Sequence, residues 1–402
     1  MSEVPMNGTA KFKALAIDIT TRVRGLLGNP EGFVSLHEPE FLGDEEALLL
    51  DCIRSGWVSS VGQYVDRFEA EIAVACGTTH GVAVVNGTAA LEVALRIVGV
   101  KPGDEVLMPS LTFIATANAT HHLGAVPHFV DAEARTLGLD PTALRAHLDE
   151  IAERRDGVTV NGRTGRRLAA AVPMHVFGHP VDIDGLAEVA RDFDLALVED
   201  AAESLGSRLG ERPCGSLARV AALSFNGNKI LTTGGGGAVV TDHLDMAKHA
   251  KHLSTTAKLP HKWAFRHDEI GYNYRMPNLN AALGVAQLAQ LGTRLMQKRA
   301  LAQRYIDAFD GIDGVEVFAE RPDTTANYWL NTLVLSPNMA AGRDTVLKVL
   351  NDAGFMARPI WEPLHTLPIY AHCPRANLPV TADLASRIVN VPSSAKLALN
   401  AQ

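Results

Sequence analysis

Short apolar runs alternate with helical patterns through the middle of this chain, and that alternation limits the folds open to it. Runs at 81–85, 106–109, 126–131, 169–172, 195–198 and 220–223 are rich in Val, Leu, Ala and Phe, and segments such as 89–97 and 183–193 carry helical periodicity between them. The runs recur about every 20 to 30 residues from about 80 to 240, the spacing of strands joined by crossover helices. The pattern predicts an α/β fold: a large domain whose mostly parallel central sheet is flanked by helices. Beyond it, helical patterns at 279–291 and 297–309 and a strand-like run at 329–335 predict a smaller C-terminal α+β domain. The expected division is therefore an N-terminal extension over 1–32, a large domain over 33–270 and a small domain over 271–402. In the extension, Leu15, Ile17, Ile19, Val23 and Leu26 interleave with Lys11, Lys13, Arg22 and Arg24 up to Gly28-Asn29-Pro30, which suits an amphipathic helix used for packing or oligomer contact. The charged, glycine-containing stretch 153–167 reads as an exposed loop.

Composition excludes several classes. A net charge of -8 and scattered Lys and Arg give no basic field for nucleic acid. Cys52, Cys76, Cys214 and Cys373 form no CxxC pair, so no metal site or disulfide framework is expected, and a reducing cytoplasm fits. The apolar stretch 81–100 is broken by Asn86, Gly87, Glu92 and Arg96, so no membrane span is expected. Residues 1–15 lack the pattern of a signal peptide.

Chemistry collects at the ends of the expected strands. The run 220–223 leads through Ser224-Phe225 to Lys229 and the glycine block 234–237. A lysine at the end of a buried strand loses its proton more readily than one in water, and a neutral lysine can form a Schiff base. Asn86-Gly87-Thr88 joins a strand to a helix start, which is either a phosphate cradle or an ordinary helix cap. Phe113 follows another strand and is either a core ring or a ligand contact. Asp200 lies just past a strand, where a carboxylate faces the ligand crevice of an open α/β sheet or caps the next helix.

Five segments together carry a resemblance: 86–91 (NGTAAL), 109–113 (PSLTF), 199–203 (EDAAE), Ser224-Phe225 with Lys229, and 271–276 (GYNYRM). In this order they resemble the DegT/DnrJ/StrS family of sugar aminotransferases, fold-type I enzymes that use pyridoxal 5'-phosphate (PLP). The resemblance runs from about 34 to 397. The blocks 109–119 and 174–180 look most like the LegC-type branch, which aminates a UDP-linked 4-keto sugar for nonulosonic acid synthesis.

The resemblance implies roles. Lys229 would hold the cofactor aldehyde and, once released, move the proton. Asp200 would pair with the pyridine nitrogen, Phe113 would stack on the ring, and Glu203 would sit beside it. Gly87, Thr88 and Ser224 would hold the phosphate, completed by Asn273 from a second copy, so a homodimer with shared active sites is expected. Arg275 would clamp a carboxylate or phosphate, or else serve the dimer interface. Trp57 and the residues to Ser60, His175, Trp329 and the segment 358–361 either line the sugar-nucleotide site or serve as core or interface residues. The implied reaction moves an amino group from an amino acid, L-glutamate, to a nucleotide-linked keto-deoxysugar. Two rivals stand beside it: a sugar dehydratase on the same fold, which in the family carries His where Lys229 stands, and a PLP- or sugar-nucleotide-binding regulator without turnover.

Overall fold

The computed structural model describes residues 6–399. Its central sheet takes β1 (His80–Val84), β2 (Glu105–Pro109), β3 (Val126–Val130), β6 (Leu168–Ala171), β7 (Ala196–Asp200), β10 (Val220–Ser224) and β11 (Gly237–Thr241), in the order β1-β11-β10-β7-β6-β2-β3. Strands β10, β7, β6, β2 and β3 pair in parallel. Both β1 and β10 run antiparallel to β11, so β11 alone opposes the common direction. The expected mostly parallel sheet is therefore present, and it brings the C-terminal ends of its parallel strands to one edge.

Side-chain alternation divides the core between the two faces. Val82, Val84, Val106, Met108 and Val198 turn toward α4 (Gly87–Ile97), α5 (Ala115–His122) and α8 (Leu244–Ser254). Ala83, Ala221, Leu223 and Val240 turn the other way, toward α2 (Glu45–Ser55), α3 (Gln63–Ala75) and α9 (Asn278–Leu288). Under β2 and β6, Leu107 and Ala171 pack with α6 (Pro141–Ile151) and α7 (Ile183–Asp192).

The short strands β8 (Arg208–Leu209), β9 (Arg212–Pro213) and β13 (Thr324–Thr325) pair in a small sheet, and a further antiparallel sheet of β12 (Val315–Val317), β14 (Asn331–Leu335), β16 (Ile388–Val391) and β15 (Arg358–Pro359) builds the smaller unit. It packs with α10 (Leu291–Phe309) and α11 (Arg343–Asp352). Helix α1 (Met6–Leu26) inserts Leu15, Ala16, Ile19 and Val23 into this same core, so the N-terminal segment is part of the small unit's interior. Sequence order and packing also part company at α9: although it follows 271, its Ala281, Ala282 and Val285 pack with Phe68, Ile72 and Phe225 of the large unit. Helix α10 bridges the units, with Leu291 and Leu295 against one core and Leu301, Tyr305 and Phe309 in the other.

The expected exposed loop at 153–167 is corrected. It contains the hairpin β4 (Ala152–Arg155) and β5 (Val158–Asn161), with Thr159, Val160 and Asn161 buried. Asp156 and Gly157 have φ of 50° and 82°, the two positive values of a tight hairpin turn, for which Asp-Gly is a strong local signal. Asn161 Nδ2 donates to Glu105 at 2.9 Å and ties the hairpin to the main sheet.

Candidate active site

A cleft of about 530 Å³ opens at the edge where the parallel strands end, lined also by β15 and the residues after it. Gly87, Thr88, Phe113, Asp200, Glu203, Ser224, Lys229 and Trp329, eight of the residues expected from the sequence, line it.

One end is a backbone cradle. Asn86 Oδ1 accepts from the Ala89 N–H at 2.8 Å and starts α4, whose first N–H groups belong to Gly87 and Thr88 and have no carbonyl behind them in the helix. A Cβ on Gly87 would lie 2.7 Å from Ser224 Cβ, so only glycine lets α4 begin this close to the end of β10. N–H groups, two hydroxyls and the positive end of a helix make a site for a small anion.

Charge lies at the other end. Asp200 is the last residue of β7 and is buried. Burial raises its pKa, opposed by hydrogen bonds from the Thr116 hydroxyl to Oδ2 at 2.7 Å and from the Ala202 N–H to Oδ1 at 3.2 Å. Glu203, also buried, accepts from Lys229 Nζ at 3.1 Å on one oxygen and from the Phe177 N–H at 2.9 Å on the other. Burial pushes its pKa up to about 7, against the pull of the lysine charge. The Lys229 amine rests 3.9 Å from the centre of the Trp329 ring, and Trp329 Nε1 donates to the Asn228 carbonyl at 2.7 Å, which fixes the loop that carries the lysine.

The walls are aromatic. Phe177 and Trp361 rings lie 5.0 Å apart, and Phe113, 48% exposed, lines the cleft 6.4 Å from Trp361. Arg358 on β15 lines the opening.

Four expected residues lie elsewhere. His175 is fully buried, with Nε2 on Glu199 at 3.0 Å and Nδ1 accepting from the Val181 N–H at 3.1 Å. Both ring nitrogens are committed, and the imidazole is a structural tie rather than a substrate contact. Arg275 Nη1 donates to Glu69 Oε1 at 2.6 Å and to the Ala83 carbonyl at 3.3 Å, behind β1 and away from the cleft. It clamps a carboxylate of its own chain. Trp57 is 57% exposed outside the cleft, its carbonyl accepting from Asn278 Nδ2 at 2.7 Å. Asn273 is exposed and does not line the cleft.

Sequence reasoning missed Thr116 and Phe177. Thr116 lies three residues after Phe113, as the second residue of α5, and that nearness to a strand end already singled out is the signal that could have found it. Phe177 gives no such signal, because its φ of 54° and its bond to Glu203 are properties of the folded turn.

Other proteins share much of this sequence and fold. The chain is 35% identical over 366 residues to the GDP-perosamine synthase of Caulobacter vibrioides (strain ATCC 19089 / CIP 103742 / CB 15), covering 90% of this chain and 94% of that protein. It is 34% identical over 370 residues to the putative pyridoxal phosphate-dependent aminotransferase EpsN of Bacillus subtilis (strain 168), covering 90% and 92%. Among solved structures, the aminotransferase TlmJ from Streptoalloteichus hindustanus superimposes with a TM-score of 0.80 at 28% identity, covering 90% of this chain and 94% of that one. The fold is that of the fold-type I PLP-dependent transferases. Since residues 41–402 match the family as a whole, this chain belongs to the DegT/DnrJ/EryC1/StrS aminotransferase family.

Proposed function

We propose that the chain uses pyridoxal 5'-phosphate to move an amino group from L-glutamate to the keto carbon of a nucleotide-linked deoxysugar. The acceptor would be of the UDP-4-keto-6-deoxy-N-acetylhexosamine type, serving surface-glycan or nonulosonic acid synthesis. The observation that carries this reading is one cleft holding the Lys229 amine, the Asp200 carboxylate and the Gly87-Thr88-Ser224 cradle.

The residues fit the cofactor. The cradle that a Cβ at Gly87 would fill suits a phosphate. The donors on Asp200, a hydroxyl and a backbone N–H, are neutral, so its negative charge suits a protonated ring nitrogen. The half-exposed Phe113 ring suits a stacking face. When bound, the cofactor supplies an electron sink for the charge left on the donor carbon. Lys229 anchors its aldehyde and, once released, takes the proton from the donor α-carbon and hands it on. Glu203 holds the released amine in place at the cleft floor. The aromatic walls exclude water, and Arg358 at the opening supplies a cation for carboxylate or phosphate.

Two copies would complete each other's sites, with Asn273 reaching the partner's cradle. Trp57, Trp263, Phe265 and Ile270 expose apolar surface in the single chain, which supports such an interface. No helix among the described residues is long and apolar enough to cross a membrane. The four cysteines are free and buried, in keeping with a cytoplasmic place.

A GDP-linked acceptor is the second reading, favoured by the relative named GDP-perosamine synthase, which matches over 94% of its length. The test is an absorbance spectrum of the purified protein before and after L-glutamate, with 2-oxoglutarate assayed alongside, followed by a screen of UDP-, GDP- and dTDP-linked keto sugars. Loss of the visible band with release of 2-oxoglutarate supports the donor step, and the acceptor that restores the band identifies the sugar. A protein with no visible band, or one that releases no 2-oxoglutarate, would overturn the reading.

A further inference from the structure

Where a helical carbonyl lies one turn back, threonines of this chain spend their hydroxyls on it. Thr20 donates to the Ala16 carbonyl at 2.7 Å, Thr21 to Ile17 at 2.9 Å and Thr120 to Thr116 at 3.0 Å. Thr116 spends its hydroxyl elsewhere. It is the second residue of α5, with no helical carbonyl four residues behind it, and its hydroxyl donates at 2.7 Å to Asp200 Oδ2 across 84 residues of sequence. The side chain is fully buried, in a helix whose Ala117 and Ala119 are core residues. In such a place valine would fill the space, and a hydroxyl costs free energy unless it is bonded.

The bond has a partner on the other oxygen. The Ala202 N–H reaches Asp200 Oδ1 at 3.2 Å, so the carboxylate is held at both ends and its plane is fixed. The main chain of Asp200 is held as well: its N–H donates to the Pro173 carbonyl at 2.9 Å, and its own carbonyl accepts from the His175 N–H at 3.2 Å. Rotation of the carboxylate is what remains, and Thr116 is the side chain that stops it.

We propose that Thr116 is a positioning residue for the transamination, holding the Asp200 carboxylate in the plane and charge state in which it grips the cofactor's ring nitrogen. This rests on the reading of Asp200 given above. It predicts that removing the hydroxyl weakens the cofactor's hold only when the cofactor has a ring nitrogen to grip.

The test compares two probes on the apoprotein, pyridoxal 5'-phosphate and its analogue with C–H in place of the ring nitrogen, by quenching of tryptophan fluorescence. Loss of a hydrogen bond to a charged group predicts about a ten-fold weaker affinity of Thr116→Val for the natural cofactor, with affinity for the analogue unchanged. Thr116→Ser should restore the natural affinity. Thr116→Cys, a far weaker donor, repeats the measurement if the valine variant is unstable. Equal weakening toward both probes would make Thr116 merely structural and overturn the proposal. If Asp200→Asn weakens the natural cofactor while Thr116→Val does not, the proposal falls and the role of Asp200 stands. If Asp200→Asn also leaves both affinities unchanged, the reading of Asp200 falls and the proposal with it.

Discussion

Two basic side chains meet glutamates in the large unit, and they do opposite things. Lys229 meets Glu203 at 3.1 Å on the floor of the cleft, and Arg275 meets Glu69 at 2.6 Å behind β1. All four side chains are largely buried. The difference lies in what else each partner touches. Glu69 also takes the Ala83 N–H at 3.0 Å and Lys251 at 2.9 Å, so its charge is fully met within the protein. Glu203 meets one backbone N–H besides the lysine, and the lysine faces an aromatic ring and open space. An arginine cannot give up its proton at working pH, whereas burial lifts the Glu203 carboxyl into that range. Proton chemistry is therefore open to the first pair and closed to the second, though both are a buried base on a buried acid.

Replacing the two bases should break this contrast most clearly. Lys229→Ala is expected to lower turnover by about 10⁴-fold or more and to abolish the visible band, while the protein stays folded. Turnover near the wild-type rate would end its role. Arg275→Ala is expected to lower the free energy of unfolding by about 3–5 kcal/mol, the cost of leaving Glu69 buried without its main partner. The KM for the amino donor should stay as it was. A steep rise in KM at unchanged stability would mean that Arg275 turns toward substrate in solution.

A smaller effect separates the two acids. Burial holds the Glu203 pKa at about 7, above the ordinary 4.5. Between those values the folded chain keeps a proton that the unfolded chain has released, so this group makes stability fall as pH rises from about 4.5 to about 7. Glu203→Gln removes that dependence. Its stability relative to wild type should climb by on the order of 3 kcal/mol across the window, read from urea unfolding at several pH values. A flat difference would mean that Glu203 titrates alike in the folded and unfolded chains.

The same contrast explains what the sequence made legible. Asp200, Ser224, Lys229 and the Gly87-Thr88 turn sit at or just past the ends of parallel strands, and strand ends are readable from local apolar runs. Because β1, β10 and β7 run in one direction, those ends meet at one edge, which a one-dimensional pattern is enough to predict. Arg275 and His175 were not legible in this way. Their directions are set by Glu69, 206 residues away, and by Glu199, 24 residues away on the neighbouring strand, and no local pattern records such a partner. The β4–β5 hairpin was lost for a different reason: the charges around Asp156-Gly157 masked a turn signal that was present. For α9, sequence position suggested one neighbourhood and the apolar face found another, because a helix packs where its stripe is covered rather than where its number falls.

The finest division lies on Glu69 itself, which holds one cation on each oxygen: Arg275 on Oε1 and Lys251 on Oε2. The Lys251 side chain is 48% exposed, against 5% for Arg275, so water already screens it and can replace it. Lys251→Met is therefore expected to cost under about 1 kcal/mol in urea unfolding, less at high salt, with no change in turnover. In Arg275→Ala the carboxylate would keep Lys251 as its sole cation, and there the same lysine substitution should cost more than it does alone. A double-mutant cycle measures that coupling. If Lys251→Met alone costs as much as Arg275→Ala, then the lysine rather than the arginine holds the Glu69 charge. Arg275 would then be free to leave it, and the reason for keeping Arg275 apart from the cleft chemistry would be gone.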